Sequence, residues 1–445
     1  MAATLSDISA GFASRHQLSL CMIVKNEAVR LGRCLESALP WVAEAIVVDT
    51  GSSDATVAVA KSMGPKVRVS HFAWCNDFSR ARNHALNEAG GRWALVLDAD
   101  EVLVVDDAAA WSRALEANDV AAFSIDCHDR LDDGGVAVGP ILRMFRRDLP
   151  GMRYRGEVHE QISPVADRSC VTAHASFLHI DHDGHTGAVM REHRTIERNL
   201  ALARAMVAAR PDDPFAWFCL GQSLEAAGTS PGRCAEVYEK ALSLFDALAP
   251  GHRDESYLAA LWINLTRVVM RAGDRVKAER LSGQALLDFP TAPDLRFLRG
   301  KLLADAGQLD AAAEQFQACL APEAGRFFVR QDPGATSFAA ETQLGLCRLK
   351  MGRLADAEEH LRRAITSAPA GYLLPRMALG MLLLVRHQPA EAEQVFRAAV
   401  ELRPDDPDAR LHWARSLLAT GRRAHAEEAL APLHDDPRAA QLLGA

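Results

Sequence analysis

The chain has 445 residues, of which 49% are apolar and 24% are charged, and its formal net charge is −8. This length predicts two or three domains of ordinary globular composition, and the negative charge argues against a general nucleic-acid-binding protein. No stretch approaches the roughly 18 uncharged apolar residues of a membrane span, and the first residues lack the apolar core of a signal peptide. Nine scattered cysteines without a C-x-x-C pair indicate reduced thiols, so we expect a cytoplasmic protein.

The first hundred residues alternate between apolar strands and amphipathic helices. Short apolar runs predict strands at residues 18–24, 45–48, 67–69 and 93–97. Helices are predicted between them, with Asn26 as the cap of the first and Ser53 or Asp54 as the cap of the second. Strand–helix alternation of this kind predicts a parallel, doubly wound α/β sheet with right-handed crossovers.

Polar residues follow three of these strands at their carboxyl ends. Asn26 and Glu27 follow the first strand, and Asp49 ends the second. The fourth strand runs into Asp98 and Asp100, within a D-x-D-E sequence. Such strand ends converge on one crevice where ligands bind, and paired carboxylates suit Mg²⁺ or Mn²⁺. The alternative for the D-x-D pair alone is an ordinary charged exit from a strand. No G-x-G-x-x-G or P-loop sequence occurs, so neither a dinucleotide fold nor a P-loop is supported.

Four segments carry a resemblance to a known family. In chain order they read SLCMIVKNE, AIVVDTGSSDAT, DFSRARNHAL and WALVLDADE. They are similar to the successive motifs of glycosyltransferase family 2, the inverting enzymes of GT-A fold that use nucleotide-sugars. The resemblance is close over residues 17–110 and looser over residues 120–200. It implies a Rossmann-like GT-A domain, a nucleotide-sugar donor that we expect to be UDP-linked, and Mn²⁺ or Mg²⁺ as the metal.

The resemblance assigns donor binding to the first two strand ends and to the third helix. The backbone at Val24 and the side chain of Asn26 or Glu27 would line the nucleoside pocket. Asp49 would accept a hydrogen bond from the base or the ribose, since an ionised carboxylate is only an acceptor. Arg82 would reach the base or the diphosphate, because a guanidinium suits both. The alternatives are a turn-capping Asp49 and a surface Arg82.

The D-x-D-E sequence itself is expected to hold the metal and the ribose. The resemblance places Asp98, with Ala99 beside it, nearest the ribose and the metal. Asp100 would be a metal ligand and therefore a member of the catalytic set. Glu101 is left open between a solvated position and a supporting role behind the metal ligands.

The proposed GT-A domain spans residues 17–190 and has two halves. Residues 17–110 would bind the nucleotide-sugar, and residues 111–190 would bind the acceptor. Two further strands are predicted in the acceptor half at residues 120–126 and 140–146. Asp133-Gly134 lies in the turn between them and favours a hairpin.

A glutamate in the sequence GEVHE is the candidate catalytic base. An inverting transfer needs a group that deprotonates the acceptor as it attacks the anomeric carbon. The resembling family has a similar G-x-x-H-E element, which makes Glu160 the first candidate and Glu157 the second. The alternative is that His159 and Glu160 form a structural hydrogen-bonded pair.

Residues 177–185 are rich in histidine. The resembling family has an H-x-G-Y element here, and His182-Asp183-Gly184-His185 matches it, with His185 where tyrosine is common. We expect His182 to contact the metal or the diphosphate, and the choice among His179, His182 and His185 stays open. A zinc site formed by these histidines is a weaker alternative, because structural zinc usually takes cysteine and histidine pairs from two loops.

The second half of the chain follows a helical repeat. From about residue 195 the strand pattern stops, and Gly273, Gly307 and Gly352 each begin a similar series of small and aromatic residues. About six units of roughly 34 residues match the tetratricopeptide pattern, with an insertion at residues 321–336. Such arrays form concave surfaces that bind peptides or a second subunit. An unrelated all-helical domain is the alternative.

Together these features predict a metal-dependent inverting glycosyltransferase with an all-α tetratricopeptide solenoid at residues 191–445. Its acceptor would be a protein or peptide, with a lipid or saccharide acceptor as an alternative, and the repeats could instead form a homodimer. A transferase-like scaffold without activity and a nucleotidyltransferase are the other classes. The domain boundary is expected at residues 190–210, and we expect the array to supply no catalytic group.

Overall fold

The computed structural model describes residue 12 and residues 17–130, 136–163, 171–182, 195–249, 257–321, 333–369 and 371–444. The chain forms two compact units, with the main break between Ala285 and Leu286. Each unit is taken by itself below. In the residues described, no helix has the length and apolar character needed to cross a membrane.

The first unit is built on an eight-stranded sheet in the order β3-β2-β1-β4-β7-β6-β10-β5. Its strands are β1 (Leu18–Val24), β2 (Glu44–Asp49), β3 (Val67–His71), β4 (Trp93–Val96), β5 (Glu101–Val105), β6 (Val120–Arg130), β7 (Val136–Arg146) and β10 (Val171–His182). Strands β1 to β4 are mutually parallel, whereas β7 is antiparallel to both β4 and β6 and β5 is antiparallel to β10. A separate two-stranded sheet pairs β8 (Arg153–Arg155) with β9 (Gln161–Ser163).

Helices cover both faces of the parallel part of the sheet. These helices are α1 (Leu31–Ala38), α2 (Thr56–Ser62), α3 (Phe78–Glu88) and α4 (Ala108–Glu116). Leu31 of α1 and Trp111 of α4 pack with the strands on one face, whereas Leu86 of α3 packs on the other. Because both faces are buried, the strands are continuous apolar runs, and polar side chains collect where the strands end.

The cap predicted for the first helix is wrong. Helix α1 begins at Leu31, and Asn26 instead has a positive φ of 57° and its side-chain oxygen accepts the Ser53 N–H at 2.8 Å. Asparagine tolerates this left-handed conformation better than most residues. The second prediction is closer, because Asp54 accepts the N–H of Thr56, the first residue of α2, at 3.0 Å. The hairpin turn predicted at residues 133–134 lies outside the described residues.

The part of the first unit that the structure describes from Thr195 onwards is helical. It contains α5 (Thr195–Ala209), α6 (Pro214–Ala226), α7 (Pro231–Ala247), α8 (Leu258–Arg271) and α9 (Arg275–Asp288), the last of which crosses into the second unit. Helix α6 packs against α5 and α7. Gly221 on α6 makes this packing close, because a Cβ there would lie 2.6 Å from Tyr238 Cδ1.

The second unit is a series of helical pairs. Its helices are α10 (Pro293–Asp305), α11 (Leu309–Cys319), α12 (Phe338–Lys350), α13 (Leu354–Ser367), α14 (Leu374–Val385), α15 (Pro389–Leu402), α16 (Pro407–Ala419), α17 (Arg423–Leu430) and α18 (Pro437–Gly444). Gly300 and Gly380 allow close contact within pairs, since an added Cβ would collide with Phe316 and Phe396. The predicted fold class, an α/β domain followed by an all-α repeat array, is confirmed.

Candidate functional site

Glu101 lies on the buried side of the turn that follows β4 and stabilises this turn by hydrogen bonds to Asp98. The Asp98 N–H donates to Glu101 Oε2 at 2.8 Å, and the Glu101 N–H donates to the Asp98 carbonyl oxygen at 3.1 Å. Cys34 Sγ on α1 contacts the same carbonyl oxygen at 3.3 Å. Glu101 is only 1% exposed. Of the two roles that the sequence left open, Glu101 therefore has the supporting position.

Two arginines bracket the first aspartate of the D-x-D pair. Arg82 Nη2 donates to Asp98 Oδ1 at 3.0 Å, and Arg143 Nη2 donates to Asp98 Oδ2 at 2.7 Å. Arg143 also contacts the carboxylate of Glu101. Burial raises the pKa of Asp98, but the two guanidinium groups outweigh it and hold this pKa well below its usual range. Asp98 is therefore ionised, and both of its carboxylate oxygens accept from arginine.

Arg82 also binds the candidate base. Arg82 Nε donates to Glu160 Oε1 at 2.5 Å, so one guanidinium joins the strand end at Asp98 to the β8–β9 hairpin. The Arg82 side chain is 9% exposed. Its Nη1 group is buried without a hydrogen-bond partner among the described residues. One strong donor is thus left for an acceptor that the described protein atoms do not supply.

The hairpin that carries Glu160 is held from two sides. Asn83 on α3 exchanges two hydrogen bonds of 2.9 Å with the backbone of Tyr154. On the other side, His159 Nε2 lies 3.1 Å from Ser223 Oγ on α6. Burial lowers the pKa of His159. His159 and Glu160 therefore have different partners, Ser223 on α6 and Arg82 on α3.

The second aspartate of the D-x-D pair faces a histidine. His182 Nε2 lies 3.5 Å from Asp100 Oδ2, and His182 Nδ1 lies 2.5 Å from Asp129 Oδ1. Burial lowers the pKa of His182, but its contacts with these carboxylates outweigh burial and raise it to about 12. Two carboxylates that flank one imidazole make this a place where positive charge is favoured. His185 lies outside the described residues.

These groups line one cavity of about 480 Å³. Eight of the predicted site residues belong to its lining: Val24, Glu27, Arg82, Asp98, Ala99, Asp100, Glu160 and His182. They come from β1, α3, the D-x-D turn, the β8–β9 hairpin and β10. The structure therefore brings together residues that are separated by more than a hundred positions in the sequence.

Three predicted site residues are not among those that line the cavity. Asn26 bonds to the backbone of the loop after β2. Asp49, which is 4% exposed, accepts the N–H of Ser52 at 3.1 Å. Glu157 pairs with Arg210 at 2.5 Å between Oε2 and Nη2. Their roles at the site stay predictions, and the cavity geometry favours Glu160 over Glu157 as the base.

The sequence analysis missed several residues of the site. On one wall, Trp74 and Phe78 have ring centroids 4.8 Å apart, and Arg198 Cζ lies 4.9 Å from the Phe78 centroid. Further helical residues in the lining are Asn199 and Ser223. Residues of α5 and α6 thus reach the cavity, although we expected no catalytic group from the helical half.

Some of these residues had a signal in the sequence and others did not. Arg143 is a charged residue within a mostly apolar strand, and the aromatic residues Trp74 and Phe78 lie just before and at the start of the predicted third helix. Each of these patterns was available locally. By contrast, Arg198 and Ser223 have the spacing of ordinary helix residues, and only the packing of α5 and α6 brings them to the cavity.

Comparison with known families agrees with this geometry. Residues 19–158 match the family model described as glycosyl transferase family 2. Residues 265–336, 342–370 and 383–445 match tetratricopeptide repeat models. The chain carries a glycosyltransferase family 2 domain followed by tetratricopeptide repeats. The resemblance drawn from the four sequence segments is confirmed.

The proteins to which this chain is similar include a repeat protein and a glycosyltransferase. A TPR repeat-containing protein of Synechococcus elongatus is 29% identical over 366 residues, which cover 80% of this chain and 77% of that protein. The SPbeta prophage-derived glycosyltransferase SunS of Bacillus subtilis is 30% identical over 207 residues, 46% of this chain and 48% of SunS. Among solved structures, the APC/C hetero-tetramer Cut9–Hcn1 aligns at a TM-score of 0.42 and 14% identity, covering 58% of this chain and 47% of that one.

Proposed function

We propose that this glycosyltransferase is a metal-dependent inverting enzyme that moves a hexose from a UDP-sugar to a protein or peptide acceptor in the cytoplasm. The observation that carries this proposal is the cavity in which Arg82 links Asp98 of the D-x-D turn to Glu160, with Asp100 and His182 beside them. The donor end and the candidate base are thus fixed to one another by a single guanidinium.

The donor half of the cavity suits a nucleotide-sugar. Val24 and Glu27 at the end of β1 form the wall against which the nucleoside would lie. The unpartnered Nη1 of Arg82 supplies a donor for a diphosphate or sugar oxygen. Because Asp98 is already bonded to two arginines, we assign it to ordering those arginines and contacting the ribose. Asp49 would reach the base only by exchanging its present bonds in the loop after β2.

The residues beside the D-x-D turn fit a divalent cation. Asp100 offers a carboxylate in the cavity lining, and a carboxylate together with phosphate oxygens suits Mn²⁺ or Mg²⁺, with the His182 imidazole as a further ligand that suits Mn²⁺ better than Mg²⁺. A bound cation would offset the charge that develops on the departing diphosphate. In this assignment Asp100 and His182 hold the ion, and Asp129 positions His182 from its other nitrogen.

We assign Glu160 as the base of an inverting displacement, an assignment supported by its position in the cavity lining. The acceptor heteroatom would form a bond to the anomeric carbon while its proton passes to the Glu160 carboxylate. The bond from that carbon to the diphosphate oxygen breaks on the opposite face, and the diphosphate leaves with the electron pair. Arg82 orients Glu160 throughout, since Nε holds Oε1 and leaves the second carboxylate oxygen for the acceptor.

The acceptor would enter along the wall formed by Trp74, in the loop before α3, and by residues of α5. Trp74, Arg198 and Asn199 offer an aromatic surface, a cation and an amide at this side of the cavity. These groups suit a polypeptide backbone and its side chains. The repeats would recruit the acceptor protein, with homodimerisation as their other use. The eight described cysteines are free thiols, which fits the proposed cytoplasmic location.

The proposal is tested by incubating full-length protein with UDP-hexoses, MnCl₂ and a peptide extract, followed by mass spectrometry. We expect a peptide that gains one hexose and free UDP, neither of which forms with Asp100→Ala. Arg233→Ala, which removes an exposed ion pair with Glu236, is the matched control and should behave like the wild type. Equal turnover by Asp100→Ala, or no UDP from the wild-type protein with any donor, would contradict the proposal.

A further inference from the structure

A second cluster of metal-binding side chains lies on the face of β10 that His182 does not occupy. Successive residues of a strand point to opposite faces, so Asp181 and His179 face away from His182. Asp181 is the register partner of His128 on the parallel strand β6, which places His128 on the same face. The three side chains therefore meet across two neighbouring strands.

The distances within this cluster approach those of a coordination site. His128 Nδ1 lies 3.5 Å from Asp181 Oδ1, and His179 Nε2 lies 3.8 Å from the same oxygen. One ligand atom from each residue lies within 4.8 Å of the others. Ligands bound tetrahedrally to zinc at about 2.0–2.1 Å are themselves about 3.4 Å apart. The rings of His128 and His179 are stacked with centroids 4.4 Å apart, so side-chain rotations that turn both nitrogens toward Asp181 would close the cluster around one ion.

A fourth residue fixes the orientation of His179. Asp106, directly after β5, lies with Oδ2 2.8 Å from His179 Nδ1. When Nδ1 donates to this carboxylate, Nε2 carries the free lone pair of the ring, and Nε2 lies 3.8 Å from Asp181 Oδ1. Histidines that bind a metal almost always donate their other N–H to a carboxylate, carbonyl or water in this way. The arrangement is therefore more specific than a chance contact between histidines.

We propose that His128 Nδ1, His179 Nε2 and Asp181 bind a zinc ion, with Asp106 as the residue that positions His179. Two imidazoles and one carboxylate with a free fourth position form a donor set that zinc takes, whereas Mg²⁺ favours oxygen ligands alone. The side chains of His128, His179 and Asp181 are 32%, 22% and 40% exposed, so solvent can supply the ion and its fourth ligand. The site joins β6, β10 and β5 and stands apart from the Asp100–His182 pair.

The test measures zinc binding by the full-length protein after removal of metals with a chelator. Zn²⁺ is titrated against a chromophoric competitor for the wild type and for His182→Ala, which lacks the imidazole in the cavity. We expect both proteins to keep this site with equal affinity, whereas a zinc ion held by Asp100 and His182 in the wild type is lost in His182→Ala. His128→Ala should weaken it more than 100-fold, and Asp106→Asn by about 10–100-fold as expected for a residue that positions a ligand.

His174→Ala is the matched control, because His174 pairs with Asp126 on the same two strands outside the cluster. It should bind zinc like the wild type. Co²⁺ added to the wild type should give the visible absorption bands of four-coordinate cobalt, and this readout serves if His128→Ala fails to fold. The proposal is overturned if zinc does not bind, if binding disappears in His182→Ala, or if His174→Ala weakens it as much as His128→Ala does.

Discussion

The strand ends of the sheet and the helical pairs of the repeats differ in what they bury. The strand ends bury charged side chains, whereas the helical pairs bury apolar side chains in close contact. At the strand ends, charged side chains such as Arg82, Arg143 and Glu101 are buried in a network around Asp98. In the repeats, glycines such as Gly380 let helices approach closely, and ion pairs such as Arg233 with Glu236 are exposed. A network of buried charges is costly to form and to break, which marks it as a functional region.

The largest expected effect is on catalysis. Glu160→Gln keeps an acceptor for Arg82 Nε but cannot take a proton, so the transfer rate should fall by about 10²–10⁴-fold with donor affinity unchanged. Glu157→Gln is the matched control, because Glu157 pairs with Arg210 and does not line the cavity. Kinetics with the identified donor measure both. Full activity of Glu160→Gln would show that another residue is the base.

Breaking the buried charge network should cost stability in a way that exposed pairs do not. Arg143→Met leaves the buried carboxylate of Glu101 without its arginine partner and removes one of the two arginines of the partly exposed Asp98, so the free energy of unfolding should fall by about 3 kcal/mol. Arg233→Met should change it very little. Denaturant unfolding followed by circular dichroism compares them. Equal decreases in the free energy of unfolding for the two substitutions would contradict the proposed difference between the buried charge network and the exposed ion pair.

In the repeats the sensitive positions should be apolar contacts. Gly380→Ala places a methyl group against the ring of Phe396, and such overpacking should cost about 1–3 kcal/mol. Gly232→Ala, which meets nothing within 4 Å, is the matched control. Donor binding should be the same in both variants. If Gly380→Ala were as stable as the wild type, the helices α14 and α15 would have to accommodate a methyl group at this contact, and the prediction would be wrong.

A smaller effect is expected at a turn between repeat helices. Gly352 has a φ of 77° between α12 and α13, and His387 has a φ of 57° at the equivalent place between α14 and α15. Since a side chain is strained in this conformation, His387→Gly should stabilise the protein by about 0.5–1 kcal/mol. Gly352→Ala should destabilise it by a similar amount. Thermal melting measures both, and a lower melting temperature for His387→Gly would contradict the prediction.

The smallest effect is a change in the pH dependence of stability. Burial lowers the pKa of His159 in the folded protein, so the unfolded chain binds a proton more readily. Above about pH 6.5 the histidine is neutral in both the folded and the unfolded state, so its protonation does not reduce stability. As the pH falls below that value, the unfolded chain takes up the proton first, and the free energy of unfolding therefore decreases. Between about pH 7.5 and 5.5, His159→Gln should lose less stability than the wild type. If the stabilities of the wild type and His159→Gln changed equally with pH, His159 would not contribute to the pH dependence.

The parts of the fold that the sequence predicted are those with a local pattern. The runs at β1 and β4 and the recurring glycines at Gly307 and Gly352 define their elements within one window. Strands β5 and β10 were missed as strands, because their ends carry the D-x-D-E and histidine-rich segments that attracted a functional interpretation.

The same distinction applies to the residues of the candidate site, because those within a local motif could be predicted and those brought together by packing could not. Residues within the four motifs, such as Asp100 and Arg82, were selected from the sequence and line the cavity. The bond from Arg82 to Glu160 joins residues 78 positions apart, and no local pattern indicates it. Arg198 likewise reaches the cavity because α5 brings its guanidinium over the ring of Phe78 on α3. Long-range packing, not residue type, decides these contacts.

The most direct test of the central claim is calorimetric binding of UDP to the full-length protein with and without Mn²⁺. If the cavity at the D-x-D turn binds a nucleotide-sugar through a cation, UDP binding should weaken at least tenfold in chelator and in Asp100→Ala. Glu160→Gln should keep the wild-type affinity, because it acts on the acceptor. UDP binding that is unchanged by Mn²⁺ and by Asp100→Ala would contradict the assignment of this cavity as a metal-dependent donor site.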